Sequence, residues 1–218
     1  MKKTLVPTDF SSPAENASSA DNKIMELASV FVEELLCNQL PEGHIFHNVN
    51  HTCLVVQAVE EICEFLAIAK SEREVVILAA WFHDCGHINA CTKHEEESKK
   101  FAKSFLKAAN YPDSKITKVL QCIEATKLPQ HPVDILGQII CDADLYHLAA
   151  SNYFDLLAKL REEWVQIRNE EYSDKEWFKL NLNFLQSHQY FTDFGKEVLE
   201  EKKQSVIKVL EMACKFYE

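Results

Sequence analysis

The chain has 218 residues, 47% of them hydrophobic, four glycines and a formal charge of −11. That length and apolar content suit one globular domain with a core that needs no disulfide staples. The acidic balance argues against a polymeric nucleic acid partner, which needs clustered Lys and Arg, and neither G-x-G-x-x-G nor G-x-x-x-x-G-K-[ST] is present.

The opening MKKTLVPTDFSSPAENA reads as a short strand, a turn and a helix start, too short and polar for a signal-peptide core. It resembles the beginning of universal stress proteins, in which the aspartate at the Asp9 position lies near an ATP site. Their downstream glycine-rich phosphate loop is absent, so residues 1–20 read as a non-helical extension without a nucleotide site. No transmembrane run follows, and a cytoplasmic protein that makes no membrane contact is expected.

Residues 21–218 read as a single all-α domain. Ile24, Leu27, Val30, Phe31 and Leu35 repeat at helical spacing over 22–39, and Val55, Val59, Ile62 and Leu66 over 51–68. The next helix is expected to open on a capping box, Ser71-x-x-Glu74, and to run into AAWFHDCGH. Further helices are expected at about 94–109, 114–126, 133–150 and 151–169. Another follows the capping box Ser173-x-x-Glu176, and a last one spans 192–216. Pro112, Pro129 and Pro132 mark breaks. The eight cysteines contain no C-x-x-C pair and mostly fall in apolar patterns, which predicts free buried thiols in a reducing compartment.

Three apolar segments end in ionisable groups. AAWFHDCGH carries His83 and Asp84 out of a run that should be buried. FHNVNHTCLVV places His47 and His51 four residues apart, on one face if the segment is helical. GQIICDADLYHLAA sets Asp142 and Asp144 behind an apolar run. Unpaired charges are costly in such settings, and one divalent cation accounts for all three, since imidazole and carboxylate are its usual ligands.

His51, His83-Asp84 and Asp144, each on its own helix, resemble the H…HD…D pattern of HD-domain metal-dependent phosphohydrolases. FHNVNHT is similar to the Y-H-N-x-x-H stretch of class I cyclic-nucleotide phosphodiesterases, and ADL to the superfamily's last ligand motif. The motif core covers 47–150. HEEESKKFAKSFL, ATKLPQ and SDKEWFKLNLNFL resemble soluble HD phosphohydrolases related to the cytosolic part of Pycsar-type effectors.

The resemblance implies an HD-domain helical bundle in which His51, His83, Asp84 and Asp144 bind a first metal. It also implies that His47 protonates the leaving oxygen, and that His87 and His94 bind a second metal or the phosphate. Asp142 is the remaining donor available to complete a second metal set. Lys93 and Lys127 are candidates for holding substrate oxygens. His147, three residues after Asp144, is a candidate contact behind the ligands, whereas Tyr146, Trp164 and Trp177 read as core.

The expected cofactor is one or two divalent ions, with Mn, Fe, Co, Ni, Mg and Zn not distinguished. The expected partner is a small phosphorylated substrate, a nucleotide or cyclic nucleotide, and the amphipathic terminal helices leave room for a homodimer. The alternatives are a di-iron oxygenase on the same scaffold and a non-catalytic metal-containing ligand sensor.

Overall fold

The computed structural model describes residues 13–90 and 92–217, with side chains from residue 23 onward. The strand and turn expected at the start, with Asp9, lie outside the described residues, but residues 13–20, expected within a non-helical extension, already belong to the first helix, which opens at Pro13. Among the described residues the elements are nine α-helices and no strand: α1 (Pro13–Gln39), α2 (Val49–Phe65), α3 (Lys70–Phe82), α4 (His94–Ala108), α5 (Asp113–Ala125), α6 (Ile135–Asp144), α7 (Tyr153–Glu163), α8 (Asp174–Ser187) and α9 (Glu200–Phe216). The expected helix at 133–150 is α6 followed by a tighter 3-10 turn, Leu145–Ala149. The expected helices at 151–169 and 192–216 each include a wider π turn, Trp164–Arg168 after α7 and Gly195–Leu199 before α9.

Helix α3 is the central post, packed by α1, α2, α4, α5 and α6. Every residue from Glu74 to Phe82 is buried, which is why this helix is apolar on all faces rather than along one stripe. The capping box expected at its start does not form. The helix begins at Lys70, so Ser71 lies inside the first turn. Glu74 points inward instead, where its Oε1 accepts from the Tyr111 hydroxyl and from Lys115 Nζ at 2.9 Å. The second capping box does form, with Ser173 and Glu176 each bonding the other's backbone at the start of α8.

On α1 the buried face is Ile24, Ala28, Val32, Leu35 and Leu36. Leu27 and Val30, expected to be core, lie outside it and are about half exposed (49% and 55%). Four of the cysteines (Cys63, Cys85, Cys122 and Cys141) are buried free thiols, whereas Cys37 is exposed and Cys53 and Cys214 are half-buried. Among the described residues no helix is long and apolar enough to cross a membrane.

A second apolar cluster joins the later helices to the turn after α6, through Leu145, Leu148, Tyr153, Leu157, Trp177, Leu185, Ile207 and Leu210. Asp142 ties the segment before α9 to α6. Its Oδ1 accepts from Phe191 N (2.9 Å), and its Oδ2 from Thr192 N (2.8 Å) and Thr192 Oγ1 (2.7 Å). Gly195 is needed for this approach, since a Cβ there would lie 2.4 Å from Asp142 Oδ2. Helix α7 is seated against the turn after α6 through Tyr153 and Leu157 of the second cluster.

Candidate metal centre

Four side chains converge where α2, the end of α3 and the end of α6 meet. His51 Nε2 lies 3.2 Å from Asp144 Oδ1 and 3.4 Å from Asp84 Oδ2. His83 Nε2 lies 3.3 Å from Asp84 Oδ2 and 3.5 Å from Asp144 Oδ1. Local structure aims each ring. His51 rides the first turn of α2, which Asn48 caps by accepting from Asn50 N. His83 ends α3, and its Nδ1–H donates to the Ala80 carbonyl at 2.7 Å. That bond assigns the Nε2 lone pair to the cluster, the tautomer a metal ligand requires.

The donor set fits a divalent cation. His83 Nε2 and Asp84 Oδ2 are buried without a hydrogen-bond partner. Separations of 3.2–3.5 Å are what donors give when each sits about 2.0–2.2 Å from one ion at roughly tetrahedral to octahedral angles. Burial alone disfavours every charge here. It nevertheless yields to the neighbours: His83, followed by His94 and His87, holds the Asp84 carboxyl well below its usual range. Asp144 is likewise held low, by the hydrogen bond from His51 and by the His83 ring beside it. Two ionised carboxylates therefore face two imidazoles, and protons and cations compete for the same pocket.

Asp84 has a second face. Its Oδ1 lies 3.3 Å from His94 Nε2 and 3.8 Å from His87 Nε2. His87 stacks on His94, with ring centroids 3.9 Å apart, and on His47 at 4.7 Å. Burial, reinforced by the neighbouring imidazoles, pushes His87 down to about 2, so it is neutral, and both of its ring nitrogens are buried without a hydrogen-bond partner. His47, Asp84 and His87 offer ligand atoms within 4.8 Å of one another, as do His51, His83 and Asp144. Gly86 makes this face. A Cβ there would lie 1.9 Å from the His94 carbonyl oxygen, so only glycine lets the turn after Asp84 press against the start of α4, where Gly86 N donates to Ser98 Oγ at 2.8 Å.

His47 is near His51 (ring centroids 5.7 Å apart), but not through helical spacing. It precedes the helix cap at Asn48 and lies in the turn before α2. Glu163, the last residue of α7, places it. Glu163 Oε2 accepts from Phe46 N at 2.8 Å and His47 N at 2.9 Å, and Oε1 accepts from His47 Nδ1. Burial works against an imidazolium, but the Glu163 bond and the Asp84 field outweigh it and raise His47 above its ordinary value. The sequence reading missed Glu163. Its signal was an acid three residues after Leu160, on the apolar stripe of α7.

Other expected residues lie elsewhere. Asp142 spends both oxygens on the 191–192 segment and offers no donor to the cluster. Lys93, in a left-handed conformation (φ 59°) before α4, is exposed. Lys127 is exposed and 3.8 Å from Glu124. The lysine beside the cluster is Lys159, which lines a cavity of about 480 Å³ whose wall includes His51 and Asp144. His147 also lines it and donates through Nδ1 to the Asp144 carbonyl at 3.0 Å. Tyr146, expected in the core, is at this wall and donates to Glu61 Oε2 at 2.9 Å.

Residues 48–149 match the family model described as the HD domain. No curated protein and no solved structure matches the chain. The match contains His51, His83, Asp84 and Asp144, while His47, Lys159 and Glu163 fall outside it. Residues 48–149 of this chain are thus an HD domain, the domain that defines a superfamily of metal-dependent phosphohydrolases.

Proposed function

We propose that this protein hydrolyses a small phosphoester, a nucleotide or cyclic nucleotide, in a metal-dependent reaction. The observation that carries the reading is the two-faced Asp84, whose oxygens meet His51 and His83 on one side and His87 and His94 on the other. His51, His83, Asp84 and Asp144 would hold a first divalent ion. The partnerless nitrogens of buried His87 favour a second one on the Asp84 Oδ1 side, since leaving such groups unmet costs about 1–3 kcal/mol each. Bound there, a cation supplies a Lewis acid for the phosphoryl group and makes water nucleophilic near neutral pH.

The chain's own contribution is a positioned proton. His47, with Nδ1 held by Glu163, keeps Nε2–H free to protonate the departing alkoxide. An ionised Glu163 also stabilises the imidazolium that this role needs. The di-iron oxygenase reading loses a donor, because Asp142 is fully engaged elsewhere. The sensor reading leaves the His47–Glu163 pair without a task.

Metal analysis of protein purified without chelator, followed by turnover of phosphoesters with Mn, Co, Ni, Mg, Zn or Fe, tests the proposal. Hydrolysis that disappears in Asp84→Ala is expected. Substrate oxidation with two bound irons, or no turnover with any metal, would overturn it.

A further inference from the structure

We propose that the cavity beside the cluster selects a ring-bearing ester with a single phosphoryl group over a polyphosphate, through Lys159 and Glu61. This rests on the hydrolase reading above and adds the substrate class. The cavity of about 480 Å³ shares His51 and Asp144 with the metal cluster, so the phosphoryl end of an occupant lies at that end. Its two long walls are helical stripes. Helix α2 presents Leu54, Ala58 and Glu61, and α7 presents Leu156 and Lys159 with Asn152 just before its first turn, the helical residues three or four apart and therefore on one face of each helix.

The charge inventory of these walls sets the selectivity. Lys159 is the only Lys or Arg on the cavity and has no ion-pair partner among the described residues. One ammonium matches one phosphoryl group, whose remaining oxygens the cation site holds. The other formal charge on the α2 wall is the Glu61 carboxylate, ten residues along α2 from His51, or about 15 Å of helix axis. Tyr146 occupies one of its oxygens, and the other remains an acceptor for an N–H or O–H donor at the far end of the occupant. Between the two ends the surface is apolar (Leu54, Ala58, Leu156), as a ring requires. A second or third phosphoryl group would find no further cation and would face a carboxylate, and uncompensated anions in a partly desolvated site are penalised.

The test is steady-state hydrolysis with Mn²⁺ of nucleoside monophosphates, cyclic monophosphates, diphosphates and triphosphates, with bis(p-nitrophenyl) phosphate as a reporter of the metal centre. The best single-phosphoryl nucleotide should exceed the triphosphate by at least about tenfold in kcat/KM. Lys159→Gln should raise its KM about tenfold with a smaller change in kcat, the loss expected for one charge-assisted hydrogen bond. Glu61→Ala should raise the KM of the nucleotide more than that of the reporter, and the surface control Lys100→Gln should move neither. Both site residues are exposed, so unchanged melting curves verify the fold. Equal use of triphosphate, or unmoved KM values in both variants while wild type cleaves the reporter, overturns this inference and leaves the hydrolase reading standing. Failure to cleave the reporter or any nucleotide overturns both.

Discussion

Replacing Glu163 by Gln isolates the one catalytic device in this site that is not a metal ligand. The amide oxygen can keep both backbone bonds, to Phe46 N and His47 N, whose lengths of 2.8 and 2.9 Å fix the turn before α2. What the substitution removes is the charged acceptor that holds His47 Nδ1, since the amide NH2 then stands in place of Oε1. A hydrogen bond to an ionised partner contributes about 1.5–3 kcal/mol, and about 1.4 kcal/mol is tenfold in rate. The expected loss in kcat on an ester with an alkoxide leaving group is therefore about 10- to 100-fold. An ester with a nitrophenolate leaving group needs no proton and should lose much less. The pH profile separates this role from simple packing. Glu163 raises His47, so its loss lowers that value and the basic limb of kcat/KM moves to lower pH. Metal content should be unchanged. Equal losses on both esters, or an unmoved basic limb, would refute the assignment of His47 as a proton donor placed by Glu163.

Further outcomes follow from the same geometry. Chelation should lower the melting temperature by about 5–10 °C, because a ligand at a hundred times its Kd stabilises by about 2.7 kcal/mol and a domain of this size shifts about 2–4 °C per kcal/mol. Asp84→Ala should abolish that metal-dependent shift, and a retained shift would place the ion elsewhere. Gly86→Ala should destabilise by about 3 kcal/mol, since its Cβ would meet the His94 carbonyl at 1.9 Å. Denaturant unfolding measures this, and a change under 1 kcal/mol would contradict it.

His188, pushed down to about 4 by burial and then by Lys203, accepts from Lys203 Nζ at 3.3 Å. Its folded value lies below its unfolded one, so the unfolded chain takes up the proton first and stability falls as pH drops below about 6.5. His188→Gln should recover about 1 kcal/mol of the stability lost between pH 7 and pH 5, after discounting for partial exposure. Melting curves at the two pH values decide this, and equal losses in both proteins would rule it out.

Much of this protein was legible without coordinates. Helical periodicity marked the bundle, and AAWFHDCGH, FHNVNHT and CDADL marked three corners of the candidate metal site. A buried acid or imidazole without a partner is too costly to be incidental. The same logic failed where partners came from distant segments. Asp142 looked like a ligand because it too follows an apolar run, yet its partners, Phe191 and Thr192, lie about fifty residues away. Leu27 and Val30 fit the helical period, but which stripe of α1 turned inward depended on its packing against α2 and α3. Lys93 and Lys127 were attractive for their neighbours in sequence, whereas Lys159 reaches the cavity because α7 lies across it.

The sequence by itself determined the all-α class, because hydrophobic period is a local property that residue order displays, and its resemblance to the HD motifs picked out His51, His83, Asp84 and Asp144, the four residues that cluster. Only the tertiary structure decided that Glu163 holds His47, that Asp84 serves two faces and that Lys159 stands beside the cluster. Those are contacts between segments up to 117 positions apart, and nothing in the local pattern records which distant side chain will meet which.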